Sequence, residues 1–122
     1  MNPLRIMIVE NDALIAMFLS ELLEEMGGVV CAIAETQVDA VADAAKYRPD
    51  LMIVDATLDE GSGIAAVNEI LRGGHVPHFF VTGDRARVLA VLPDAIVVQK
   101  PFSPRDLEGA ISRACQVEGI AH

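Results

Sequence analysis

The chain has 122 residues, 52% of them hydrophobic, and carries a formal charge of −9. That length allows one domain around one core, and the apolar share excludes wholesale disorder. Its 9 Lys and Arg residues are scattered and outnumbered by 18 Asp and Glu, which excludes a nucleic-acid surface built on clustered basic side chains.

Residues 4–9 form a short apolar run rich in β-branched side chains, the pattern of a buried strand. Glu10, Asn11 and Asp12 end it and supply a helix N-cap. A helix follows over 13–26, with Leu14, Met17, Phe18, Leu22 and Met26 at helical spacing, and Gly27-Gly28 stops it. A second strand spans 29–34. Thr36 caps a helix with apolar positions at Val38, Val41, Ala42 and Ala45, which stops near Tyr47 before Pro49.

Leu51-Met52-Ile53-Val54 is a third apolar strand, ending in Asp55. A loop with Gly61 and Gly63 leads to a helix through Ile64, Val67, Ile70 and Leu71. His78-Phe79-Phe80-Val81 is a fourth strand, ending in Thr82-Gly83. A short helix over about 84–92 is closed by Pro93. The fifth strand, 95–98, runs into Gln99-Lys100-Pro101-Phe102. Ser103 and Asp106 form a capping box with Asp in place of Glu, opening a last helix with Leu107, Ile111 and Ala114.

Strand and helix thus alternate through five repeats, an α/β pattern of a five-stranded parallel sheet covered by helices on both faces. The whole chain, 1–122, is expected to be one domain, with only a stub from about Val117 and no output domain. No apolar run approaches the ~20 residues that span a bilayer. The start turns acidic too soon for a signal peptide. Cys31 and Cys115 fit small core residues in a reducing compartment, so the expected location is cytoplasmic, with no membrane and no nucleic-acid partner.

Ligands of an open parallel sheet sit beyond the carboxyl ends of its strands. Those ends present Glu10, Asn11 and Asp12, then Asp55, then Thr82, then Lys100. Clustered carboxylates suit a hard cation with oxygen ligands, which points to Mg2+. A carboxylate can attack a phosphoryl group when a cation and an ammonium neutralise the charge on its oxygens. Each residue also has a plain reading. Asp55 could end a strand in a turn, Lys100 could be a solvated loop lysine, and Thr82-Gly83 could be only a turn. Asn11 and Asp12 are good N-caps, and for Asp12 the cap is favoured over a metal contact. Asp59 and Glu60 fit solvated loop acids.

Taken in order, Ile8-Val9-Glu10-Asn11-Asp12, Pro49-Asp50-Leu51-Met52-Ile53-Val54-Asp55, Gly63, Val81-Thr82-Gly83 and Lys100-Pro101-Phe102 resemble the receiver domain of two-component response regulators. The resemblance implies a flavodoxin-like (βα)5 receiver fold with Asp55 as phosphoacceptor. It also implies a Mg2+ site made by Glu10, Asn11, Asp55 and the Thr57 main-chain carbonyl. Thr82 is then the switch hydroxyl and Lys100 the phosphoryl partner, with a cis bond before Pro101. Asp12 and Asp84 are candidate modulators. The implied donor is a sensor histidine kinase or a histidine phosphotransfer protein. The chain is expected to be no enzyme beyond assisting its own phosphotransfer and dephosphorylation. Output would come through protein contacts or as a phosphate reservoir.

Three positions depart from that pattern: Asn11 replaces a carboxylate, Asp59 a common proline, and Val97 an aromatic residue. The stretch Phe80-Val81-Thr82-Gly83 with Lys100-Pro101-Phe102 resembles the FAT GUY receivers of alphaproteobacteria, with Val81 in place of Ala and no following Tyr. A pseudo-receiver that docks without phosphorylation is the alternative, and an aspartyl-nucleophile phosphatase is a further rival.

Overall fold

The computed structural model describes residues 2–117, so the stub expected after the last helix lies outside the described residues from 118 onward. The elements run β1 (Arg5–Val9), α1 (Ala13–Glu25), β2 (Val29–Ala34), α2 (Gln37–Tyr47), β3 (Leu51–Asp55), α3 (Gly63–Leu71), β4 (His78–Thr82), α4 (Arg85–Val91), β5 (Val97–Gln99) and α5 (Pro104–Val117). The strands form one parallel sheet in the order β2-β1-β3-β4-β5. From β1 the chain turns outward to β2, then crosses to the other side to build β3. The reversal of strand order therefore lies between β1 and β3, where a crevice opens at their carboxyl ends.

Alternation along each strand divides the core between two faces. Met7, Val9, Met52, Val54, Phe80 and Val97 pack beneath α2, α3 and α4. Ile6, Ile8, Leu51, Ile53, Phe79, Val81 and Val98 pack beneath α1 and α5. Every β3 residue is buried, which explains why that strand reads as an unbroken apolar run up to its terminal acid.

Two helices turn a different face to the sheet from the one their sequence spacing suggests. In α1 the buried residues are Ala16, Leu19 and Leu23, while Leu14 is 73% exposed and Met17, Phe18 and Met26 also face outward. Residues 13–19 are apolar without a break, so periodicity in this half of the helix cannot choose between two stripes. In α2 the small Ala40 and Ala44 lie against the sheet, and Val38, Ala42 and Ala45 point away. β5 begins two residues later than the apolar run, at Val97, because pairing with β4 starts at Phe80↔Val97.

Helix starts are fixed by side chains that satisfy otherwise orphaned backbone donors. Asp12 accepts from Leu14 N and Ile15 N, and Thr36 accepts from Asp39 N. Ser62 accepts from Ala65 N, and Asp84 accepts from Arg87 N. The capping box at α5 is reciprocal: Asp106 N donates to Ser103 Oγ at 3.1 Å, and Ser103 N to Asp106 Oδ2 at 2.9 Å.

Candidate functional site

Asp55 is the last residue of β3 and is 7% exposed. Its Oδ1 accepts from Thr57 N at 2.9 Å, and its Oδ2 accepts from Lys100 Nζ at 3.1 Å. The same ammonium donates to Glu10 Oε1 at 2.9 Å. Glu10 follows β1, is 1% exposed, and also accepts the Asp12 N–H on Oε2. Three strand ends thus bring two carboxylates and one cation into a single hydrogen-bonded group. Asp55 is held from behind by Gly63, where any Cβ would collide with the Asp55 carbonyl oxygen. Only glycine allows α3 to start so close to the end of β3.

Burial pushes the Glu10 carboxyl above its usual range and the charge of Asp55 adds to the rise, against the opposing bonds from Lys100 and the Asp12 N–H. For Lys100 burial pulls downward, but its hydrogen bonds to Glu10 and Asp55 and their charges outweigh it. The ammonium therefore titrates above the usual lysine range. Lys100 stays charged at neutral pH and is the group that makes this acid pair tolerable.

The remaining rim residues are placed differently. Asp12 and Asp84 are both committed to helix caps. Asn11 bonds neither Glu10 nor Asp55 but donates from Nδ2 to Asp59 Oδ2 at 2.9 Å. Thr82 is buried, and its hydroxyl accepts from Asp84 N at 3.1 Å while keeping its own proton to donate. Thr82 also lines an open groove of about 350 Å³ with Thr57, Ser62, Asp84 and Arg87. The Lys100–Pro101 peptide bond is cis.

A sequence profile of the response regulator receiver domain matches residues 6–112. The chain belongs to that family. The receiver is 39% identical over 113 residues to the phyllosphere-induced regulator PhyR of Methylorubrum extorquens, a match covering 89% of this chain and 42% of that protein. It is 34% identical to the transcriptional regulatory protein PdtaR of Mycobacterium tuberculosis, over 92% of this chain and 57% of that protein. The chain therefore spans about half the length of these curated relatives. Among solved structures, the receiver domain of PhyR from Erythrobacter litoralis superposes with a TM-score of 0.86 at 32% identity, covering 94% of this chain and 92% of that one. PhyR from Brucella abortus gives 0.88 at 36% identity, over 97% of this chain and 50% of that one. These similarities support the FAT GUY/PhyR grouping. Among the described residues no helix is long and apolar enough to cross a membrane.

The residues of this receiver fit a divalent cation by charge and donor type. Glu10 and Asp55 supply two negative charges and Lys100 returns one, which leaves a net negative pocket of oxygen donors. Among the described residues there is no group of three or more His, Cys, Asp and Glu side chains arranged for a metal, so any ion held by Glu10 and Asp55 would need neutral oxygens or water to complete its shell.

Sequence reasoning assigned no partner to two side chains that the structure engages. Asp59, read as a solvated loop acid, is the partner of Asn11. Gln99 ties β5 to the loop after β4: its Oε1 accepts from Arg85 N at 2.9 Å, and its Nε2 donates to Gly83 O at 2.7 Å and Lys100 O at 3.2 Å. Adjacency to Lys100 was the one available signal for Gln99, and for Asp59 it was the departure from a common proline, which did not point to Asn11 as its partner.

Proposed function

We propose that this receiver accepts a phosphoryl group on Asp55 from a phosphohistidine of a sensor kinase or histidine phosphotransfer protein, in a Mg2+-dependent reaction. The observation that carries the reading is the Asp55 carboxylate, held at the end of a buried strand by Thr57 N and by the Lys100 ammonium that also engages Glu10. One Asp55 oxygen forms the new O–P bond as the donor's P–N bond breaks. The electron pair of that bond stays on the imidazole, which takes up a proton. Each carboxylate oxygen already carries one hydrogen bond, so the group is oriented before the donor arrives and little ordering remains to be done. An ammonium has three donors. Two bind Glu10 and Asp55, leaving one for a phosphoryl oxygen.

Glu10, Asp55, the Asn11 amide oxygen and the Thr57 carbonyl are the groups that would hold Mg2+. When bound, the ion would neutralise charge on the phosphoryl oxygens. The Thr82 hydroxyl, beside the groove, is suited to donate to the arriving phosphoryl group. A turn of the side chain to bring that hydroxyl to the phosphoryl group would weaken its bond from Asp84 N and loosen the start of α4. Output passes to a protein partner through that surface, or the phosphoryl group is simply stored. PhyR of Bartonella quintana, 34% identical, is an anti-anti-sigma factor, and this chain covers 50% of it.

Incubation with acetyl phosphate and Mg2+, followed by intact-mass measurement, tests the reading. The proposal expects the mass of one added phosphoryl group, lost when EDTA replaces Mg2+. No mass gain with a folded protein would leave the pseudo-receiver reading in its place.

A further inference from the structure

Two departures from the receiver pattern meet in space. Asn11, where a second carboxylate is usual, donates from Nδ2 to Oδ2 of Asp59, which stands 48 positions later where proline is common. An amide is a poorer substitute for a carboxylate than its shape suggests, because its two ends differ. Only Oδ1 can face a cation, and the NH2 end turned inward would repel it. The bond to Asp59 spends that NH2 end and leaves Oδ1 as the end available to the pocket.

The Asp59 side chain is exposed, as a solvated loop acid should be, but the backbone that carries it is held on both sides. On its N-terminal side Leu58 is buried. On its C-terminal side the Glu60 carbonyl accepts from Gln37 N at 3.2 Å, and Ser62 N donates to Gln37 Oε1 at 3.0 Å. Thr57 and Ser62 close the loop through an antiparallel bridge. The Asp59 backbone is therefore fixed between the end of β3 and the start of α2.

We infer that Asp59 is a positioning residue for the cation pocket: it selects the amide orientation of Asn11 and returns, one side chain removed, the negative charge that Asn11 lacks. The inference rests on the Mg2+ reading of the pocket given above. It makes the pair Asn11–Asp59 a replacement for one carboxylate, divided between two loops.

The test is a double-mutant cycle read by Mg2+ binding to the unphosphorylated protein, followed by NMR titration. Asp59→Ala should weaken Mg2+ binding roughly 10-fold in the natural background, the scale of lost outer-shell support. In the Asn11→Asp background the same change should cost only about 3-fold, because a carboxylate has no wrong end to present and only the outer charge is lost. The Asn11 side-chain NH2 resonances should also shift in Asp59→Ala and stay nearly in place in Asp59→Asn, which keeps an acceptor oxygen. Equal losses in the two backgrounds, or no loss in the natural one, would overturn the inference while leaving the pocket intact. Absence of Mg2+-dependent shifts at Glu10, Asp55 and Thr57 in all the proteins would instead remove the cation reading itself, and the positioning role with it.

Discussion

Replacing Lys100 with methionine keeps most of the side chain's length and removes its charge. The ammonium makes bonds of 2.9 Å to Glu10 and 3.1 Å to Asp55, and its side chain is 20% exposed. Removing one partner of a buried ion pair typically costs ~3–5 kcal/mol, because the other charge is left uncompensated. The pocket opens to water on the Lys100 side, so the lower end applies, about 3 kcal/mol. For a domain of this size that is a fall in Tm of roughly 10–15 °C. The loss should also depend on pH. Glu10 already titrates above its usual value near 4.5, burial being the largest cause, and Lys100 supplies the strongest opposing bond. Without Lys100 the carboxyl rises further. A carboxyl with a raised folded pKa favours folding fully below its unfolded pKa and loses that contribution as pH rises through the folded value. The deficit of Lys100→Met should therefore be widest at neutral pH and narrow toward pH 4.5. Thermal denaturation of both proteins by circular dichroism, at several pH values, measures this. Adding Glu10→Gln should restore most of the lost stability. A variant within about 3 °C of the parent at neutral pH, or a deficit that does not narrow in acid, would refute the account of the ion pair.

Three further outcomes are expected. Gly63→Ala should destabilise the fold by about 2 kcal/mol or more in urea denaturation, since its Cβ meets the Asp55 backbone; an unchanged midpoint would show that α3 can move aside. Gln99→Leu should speed amide exchange at Gly83 and Arg85 while costing the whole domain less than ~1.5 kcal/mol, because it frees the loop after β4 without touching the core. With Val97 buried where an aromatic is usual, beryllofluoride should alter exchange mainly through residues 80–91, and unchanged protection there in a sample that binds the mimic would contradict a response centred on Thr82.

The parallel sheet was legible because strands covered on both faces need unbroken apolar runs, and each run here ends at a polar residue of the rim. Glu10, Asp55 and Lys100 could be grouped on that ground, since parallel strands deliver their carboxyl ends to one edge. The facing of α1 was not legible: with Leu14, Ile15, Ala16, Met17, Phe18 and Leu19 in a row, tertiary packing against the sheet decides which stripe is buried. In α2 alanines, not the larger Val38, approach the sheet, and side-chain size alone does not reveal which face is buried. The bond between Asn11 and Asp59 joins two loops 48 positions apart and depends on their conformations, which no local periodicity encodes. Gln99 escaped notice because a polar residue at a strand end is ordinarily solvated.

The central claim, that Asp55 alone takes the phosphoryl group, is tested most directly by locating the modification. After incubation with acetyl phosphate and Mg2+, borohydride reduction converts an aspartyl phosphate to homoserine, which peptide mass spectrometry can place. Homoserine should appear at Asp55 and nowhere else, and Asp55→Asn should give none while retaining the native fold. Conversion at Glu10, Asp12, Asp59 or Asp84, or undiminished phosphorylation of Asp55→Asn, would contradict the account.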